Sequence, residues 1–151
     1  QSYTMTNNDE KKLDAYERLI RHGIRPSAQR VAIMQYIMTH HTHPTVGEIF
    51  DELCPLIPTL SKTTVYNTLR MFSEKGAAQM ITIDDHHICY DDIVMPHAHF
   101  ICRECGCVRD IHNIGMPTAT RHGMREEGCV IDEVQIYCKG ICDKCLSKQT
   151  T

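Results

Sequence analysis

Nine cysteines in 151 residues, about 6%, are the first feature with chemical consequences. The number is odd, so a fully paired disulfide framework cannot use all of them. Four form two repeats, Cys102-Arg-Glu-Cys105 followed by Gly106, and Cys142-Asp-Lys-Cys145. A Cys-x2-Cys loop lets two thiolates converge on one ion, and two such loops complete the tetrahedral shell that Zn2+ accepts. The 36 residues between the repeats exceed the roughly 15–20 of a zinc ribbon, so a folded segment must lie between the two knuckles. A pair of thioredoxin-like redox motifs is the competing reading. It fits less well, because neither repeat opens a helix after a buried strand.

A second constellation offers nitrogen and oxygen. His97-Ala-His99 puts two imidazoles on one face of a strand, since side chains alternate with period two. Asp110 lies five residues past Cys105, where a returning strand can bring it back beside those histidines, and Asp91 lies six residues upstream of His97. These four could form a mixed N/O metal site.

A third set of residues could read DNA. In Ser61–Lys75, Val65, Leu69 and Phe72 follow i, i+4, i+7 and should face a core. Thr63, Tyr66, Asn67 and Arg70 share another face, with Lys62 in the first turn. Hydroxyls, an amide and a guanidinium are the groups that reach base edges and phosphates in a major groove. No carboxylate lies between Ser61 and Phe72, and Arg18, Arg21, Arg25 and Arg30 add positive charge nearby in sequence.

These groups need elements to carry them. Residues 9–22 read as a helix with Leu13, Tyr16 and Ile20 on one face and Gly23 as the stop. A second helix follows Pro26, with Ser27 as cap and Val31, Met34, Ile37 and Met38 as its stripe. Thr45-Val-Gly-Glu48 is a capping box opening a third helix that ends before Pro55. Ser61 caps the fourth, which stops at Gly76. Ala77–Ile83 and His87–Asp91 read as strands around an Asp84-Asp85 turn. Helices followed by a hairpin are the pattern of a winged helix-turn-helix. Beyond residue 92, His97–Cys102 and Cys107–Ile111 read as strands, Pro117–Glu127 as a helix, and Cys129–Tyr137 as a further strand. The expected fold class is therefore α+β. Its winged-helix domain spans about 5–90, a hinge lies near 84–96, and a small α/β domain spans 91–151.

Composition is compatible with this plan. With 42% hydrophobic and 23% charged residues, the chain is neither collagen-like nor disordered. Residues 1–84 hold nine basic and nine acidic side chains, whereas 85–151 hold seven and ten. A net charge of −3 argues against non-specific nucleic-acid coating while permitting a local basic face. No run of about 18 apolar residues exists, nor a signal-peptide pattern, so a cytoplasmic protein is expected. Gln1–Thr4, before Met5, read as a cloning remnant without functional weight.

Gly23-Ile-Arg25-Pro-Ser-Ala-Gln29-Arg30, His43-Pro-Thr, Thr64-Val-Tyr66-Asn67, His97-Ala-His99-Phe-Ile-Cys102-Arg-Glu-Cys105-Gly106 and the final Cys-x2-Cys occur in one order. Together they resemble the ferric uptake regulator (Fur) family of bacterial metal-dependent repressors, over roughly residues 10–147. The resemblance implies a winged helix joined to an α/β dimerisation domain. It also implies a homodimer on double-stranded operator DNA with an inverted repeat, no enzymatic activity and no membrane. Structural Zn2+ would sit on Cys102, Cys105, Cys142 and Cys145. Lys62, Thr63, Thr64, Tyr66, Asn67 and Arg70 become the expected DNA contacts. The regulatory ligands look most like the peroxide-sensing (PerR) branch: His43, Asp91, His97, His99 and Asp110, taking Fe2+ or Mn2+. By the same analogy His43 and His97 are the oxidation-sensitive positions. Three imidazoles and two carboxylates are a hard-to-borderline shell, and thiolates select zinc.

Two alternatives stay open: a Fur-type iron-responsive repressor with the same ligands, and a thiol oxidoreductase using the Cys-x2-Cys motifs. Pro96, Ala98 and Asp132 stand where some family members have ligands for an additional metal, which is therefore not expected. Cys138 falls near the second knuckle. Cys107 and Cys129 are surplus, either small buried hydrophobes or auxiliary redox thiols or an alternative zinc ligand. His40, His41, His86, His87, His112 and His122 read as ordinary surface or structural histidines.

Overall fold

The computed structural model describes residues 7–84, 87–95, 97–112, 114, 124–126 and 128–149. The chain divides into two compact units, residues 1–94 and 95–151. The division falls after Val94, and the second strand keeps its pairing through Asp91, opposite Gln79.

The first unit opens with α1 (Asn7–Arg21), α2 (Ala28–Thr39), α3 (Val46–Leu53) and α4 (Lys62–Glu74). Each start has a chemical cause. Ser27 accepts the Arg30 N–H at 3.3 Å, and Ser61 accepts the Thr64 N–H at 3.1 Å. Thr45 and Glu48 exchange a reciprocal capping box, at 3.2 Å and 2.7 Å. These bonds satisfy N–H groups that a helix start otherwise leaves without partners. Gly23 at φ +66 and Gly76 at φ +68 end α1 and α4 in the left-handed region that glycine enters without steric cost.

Leu19, Ile33, Met34, Ile37, Ile49, Val65, Leu69 and Phe72 are buried in one core. On α1 the packing face is Ala15 and Leu19. The Leu13, Tyr16 and Ile20 face stays 46–54% exposed. The antiparallel hairpin β1 (Gln79–Asp84) and β2 (His87–Asp91) completes the unit, with Ile81 opposite Cys89 and both buried. Asp85 of the expected turn lies outside the described residues, as does His86. The Tyr90 N–H donates to the Pro44 carbonyl at 3.0 Å, tying β2 to the loop between α2 and α3.

The second unit is built on a three-stranded sheet of order β4-β3-β7, from β3 (Ala98–Cys102), β4 (Val108–Ile111) and β7 (Ile136–Gly140). β3 pairs antiparallel with β4 and parallel with β7. A separate hairpin joins β5 (Met124–Glu126) to β6 (Cys129–Ile131), and α5 (Asp143–Gln149) closes the unit.

Two expectations change here. Met124–Glu126 is strand where a helix over 117–127 was expected. Gly128 at φ +82 turns the chain so that Glu126 lies opposite Cys129, which captures the segment as a hairpin. Residues 117–123 and 127 lie outside the described residues. The single strand expected over Cys129–Tyr137 is two strands with different partners, separated by Asp132–Gln135.

Because α4 is held by Val65, Leu69 and Phe72, its position depends on that core. Leu69→Ala should lower the unfolding free energy by about 2–5 kcal/mol, against about 1 kcal/mol for the cap variant Thr45→Ala. Urea titration followed by circular dichroism measures both. A Leu69→Ala loss no larger than that of Thr45→Ala would contradict the assignment of Leu69 as a fully packed anchor.

Candidate metal centres and nucleic-acid interface

The end of β3 delivers Cys102, and a tight turn then delivers Cys105. The turn is closed by Gly106 N–H to Cys102 C=O at 2.8 Å and Cys102 N–H to Cys107 C=O at 3.0 Å. Gly106 sits at φ +70. Parallel pairing puts Gly140 of β7 opposite Cys102, and the chain enters α5 two residues later with Cys142 and Cys145. The four sulfur atoms lie within 4.8 Å of one another. Cys102 and Cys142 are buried and Cys105 is exposed.

The electrostatics match that geometry. Desolvation pushes the Cys102 thiol up, but N–H groups of Cys142, Cys105 and Glu104 outweigh it and bring it down to about 6. One of those donors is the Cys142 N–H, 3.3 Å from the Cys102 sulfur. The Cys145 N–H likewise lowers Cys142. Hydrogen bonding to Cys142 raises Cys145 to about 12, and burial is the largest cause raising Cys107 to about 11. Some thiols are prepared as thiolates while their neighbours resist adding more negative charge. A dication removes that conflict, and four sulfur donors fit Zn2+. Cys89, which is buried on β2, is instead pushed up to about 12, chiefly by burial, and is an inert thiol.

The nitrogen and oxygen donors form two buried sets, one in each unit. In the first unit, His43 Nε2 lies 3.8 Å from Asp91 Oδ2, and both side chains are buried. His43 adopts φ +54, a conformation costing a non-glycine residue on the order of 1 kcal/mol. Asp91 Oδ1 accepts the Ile93 N–H at 3.0 Å, leaving the other oxygen toward His43.

In the second unit, β3 and β4 place His99 opposite Asp110. Asp110 Oδ1 is 3.1 Å from His97 Nε2 and 3.5 Å from His99 Nε2. The Met95 carbonyl lies 2.7 Å from His97 Nδ1 and can only accept, so Nδ1 carries the hydrogen. Nε2 then turns its lone pair toward a carboxylate, an arrangement that calls for a proton or a cation between them. Histidines that ligate a metal commonly donate from their other ring nitrogen to a carbonyl, which fixes the tautomer and the ring's orientation.

Sequence reasoning missed what braces the first set. Arg18 of α1 donates to the Ala77 carbonyl at 3.0 Å and to the Asp92 carbonyl, and its guanidinium lies 3.6 Å from the Asp92 carboxylate. Burial lowers the Arg18 pKa despite the opposing pull of Asp92 and Asp91. Asp92 Oδ1 also meets His41 Nδ1 at 3.2 Å. Asp92 therefore links the segment before His43 to the segment after Asp91. Its place beside Asp91 was the only available signal. His112, treated as an ordinary histidine, has its ring 5.8 Å from that of His97.

On α4, Lys62, Thr63, Tyr66, Asn67 and Arg70 are exposed and Thr64 is half-buried, while Val65, Leu69 and Phe72 are fully buried. Arg70 Nε is held by Glu74 at 2.8 Å, a carboxylate just beyond the acid-free stretch. Arg25, Gln29 and Arg30 line a groove with Thr64 and Asn67, so basic groups border the polar face of the helix.

The model of the ferric uptake regulator family matches residues 21–139. The peroxide operon regulator of Bacillus subtilis (strain 168) is 32% identical over 136 residues, covering 90% of this chain and 94% of the relative. The peroxide-responsive repressor PerR of Staphylococcus aureus (strain Mu50) is 34% identical over 128 residues, covering 83% and 85%. A zinc uptake regulator solved with zinc and DNA has the same fold, with TM-score 0.71 and 19% identity over 97% of this chain and 100% of that one.

The thiol cluster yields a direct test. Cys102→Ser should take the protein from about one bound zinc per chain to none, measured by atomic absorption after dialysis, and should loosen the second unit with it. A zinc-free variant whose second unit keeps wild-type hydrogen-exchange protection would remove zinc from its structural role.

Proposed function

This chain belongs to the ferric uptake regulator family, and we propose that it is a cytoplasmic, dimeric, metal-dependent transcriptional repressor that senses peroxide. The observation that carries the reading is the sorting of donors by softness. Four thiols gather in one cluster, whereas the buried imidazoles are accompanied by aspartate oxygen and no thiol. The first set suits Zn2+ and the second suits Fe2+ or Mn2+. The two curated relatives, both named as peroxide regulators at 32% and 34% identity, favour peroxide over iron as the signal.

In this reading His43, Asp91, His97, His99 and Asp110 hold one regulatory ion. His43 and Asp91 come from the unit that carries α4, and the other three from the unit that carries the thiols. An ion held by both sets ties the units in one arrangement, and DNA that prefers this arrangement is bound more tightly. The face of Lys62, Thr63, Thr64, Tyr66, Asn67 and Arg70 enters the major groove. A dimer presents two such faces to an inverted repeat. Bound Fe2+ supplies one-electron reactivity toward hydrogen peroxide. His43 and His97 are the side chains assigned as the oxidised positions, and loss of either donor relaxes the hold on the ion.

Arg70 must leave Glu74 to reach a base. Arg70→Ala should weaken operator binding by about 1–3 kcal/mol and relax sequence preference. Lys62→Ala should weaken all sequences alike and lower the salt dependence by about one phosphate contact. Fluorescence anisotropy on operator and scrambled DNA separates them. Unchanged operator affinity in a Tyr66→Ala/Arg70→Ala protein would remove α4 as the reading helix.

The sensing chemistry is tested by operator binding with Fe2+ or Mn2+, before and after low peroxide, followed by mass spectrometry. The Fe2+ protein should release DNA and carry one added oxygen on the His43 or His97 peptide, and the Mn2+ protein should do neither. Asp110→Glu, longer by a methylene at a donor 3.1 Å from His97, should keep metal-dependent binding and lose most of the peroxide response. An Fe2+ protein that keeps both its operator affinity and unmodified histidines would make an iron-responsive repressor the better description.

A further inference from the structure

A fifth cysteine, Cys107, follows the four-thiol cluster's Cys105 by two residues, at the far side of the β3–β4 turn. Ile101 and Val108 are paired across β3 and β4, and the next rung is Cys102 opposite Cys107, joined by the 3.0 Å bond from Cys102 N–H to Cys107 C=O. Residues opposite each other on antiparallel strands project to the same face with their Cβ atoms about 4.5–5.5 Å apart. Cys107 therefore points to the side of the sheet where Cys102 meets Cys142. Its side chain is half-buried, and burial, with the neighbouring Cys105 and Cys142 thiols, pushes its thiol up to about 11. Cys138, by contrast, lies opposite Phe100, two rungs away from the knuckle.

The four assigned ligands are not equally protected. Cys102 and Cys142 are buried and bonded to each other through the Cys142 N–H. Cys105 is exposed at the tip of the turn, 3.7 Å from the Cys142 sulfur. An electrophile from solvent meets Cys105 first.

We propose that Cys107 is a reserve zinc ligand that takes the place of Cys105, so that the ion keeps four thiolates when Cys105 is lost. The proposal rests on reading Cys102, Cys105, Cys142 and Cys145 as the zinc site. In the exchange, the zinc–sulfur bond to Cys105 breaks as one to Cys107 forms. The Cys107 thiol proton passes to solvent, because an alkylated Cys105 can no longer take it, and zinc stays divalent with nothing oxidised. Only Gly106 separates the two sulfurs in sequence, so the swap needs rotation within one turn and no movement of β3, β7 or α5.

The test uses the full-length protein and a zinc chelator, 4-(2-pyridylazo)resorcinol, on wild type, Cys105→Ser, Cys107→Ser, the double variant and Cys142→Ser. Cys105→Ser and Cys107→Ser should each retain zinc, and the double variant and Cys142→Ser should lose it completely. Cobalt-substituted Cys105→Ser should show the sulfur-to-metal absorption of four thiolates. Zinc loss from Cys105→Ser as complete as from the double variant would overturn the proposal, as would a three-thiolate cobalt spectrum. Retention by the double variant equal to that of Cys105→Ser would overturn it too. A wild type without zinc would instead overturn the zinc assignment itself.

If Cys105→Ser fails to fold, limiting iodoacetamide on native zinc-loaded wild type gives the same decision by native mass spectrometry. Chains alkylated at Cys105 alone should keep zinc, and chains alkylated at both Cys105 and Cys107 should lose it. Zinc-free chains labelled only at Cys105 would refute the exchange.

Discussion

The convergence of thiols at one end of β3 is the constraint on which the second unit depends. Among the described residues, the continuous apolar core lies wholly in the first unit. In the second, the buried apolar side chains are Ala98, Ile101, Cys102 and Cys142, two of them zinc-ligand candidates. So small a buried set offsets little of the conformational entropy lost in ordering the described residues of this unit. A metal that closes the β3–β4 turn onto the start of α5 contributes what burial does not. β7 lies parallel against β3, and the β3–β4 register sets His99 opposite Asp110.

Strand parity then keeps the two chemistries apart. His97, His99 and Ile101 alternate with Ala98, Phe100 and Cys102 along β3, so the imidazoles leave one face and the thiol the other. His99 and Cys102 are separated by three residues, about 10 Å along an extended strand. Asp110 lies opposite His99, and Cys107 opposite Cys102, so each partner returns to its own side. The sulfur donors on one face suit a soft ion, and the nitrogen and oxygen donors on the other suit a harder one. One strand thereby sends its imidazoles and its thiol to opposite faces.

In the first unit the same economy applies to helix faces. α4 buries Val65, Leu69 and Phe72 and turns its polar residues outward, so the core that stabilises the helix also aims its reading face. The loop carrying His43 is less economical. Its left-handed backbone is held by the Tyr90–Pro44 hydrogen bond and by the Arg18–Asp92–His41 cluster. Those contacts offset a strained backbone at a position where an imidazole must stand beside Asp91. Strain of this kind persists only when its surroundings over-determine it.

The sequence by itself determined whatever depends on local spacing. The two Cys-x2-Cys repeats, the parity of His97 and His99, the caps at Ser27, Thr45 and Ser61, and the two faces of α4 are short-range patterns, and the structure keeps each of them. Tertiary structure decided the rest, because those features depend on which distant segment supplies a hydrogen-bonding edge or an apolar surface. Met124–Glu126 became a strand once Cys129–Ile131 offered an edge. The run from Cys129 to Tyr137 was divided between two partners, and β7 was set parallel to β3. The apolar face of α1 was left exposed because Ala15 and Leu19 meet the core instead. Arg18 reached Asp92 across 74 positions of sequence, and a turn brought the Cys107 backbone back to Cys102. Periodicity records which side of an element is apolar. It carries no information about which distant partner will cover that side.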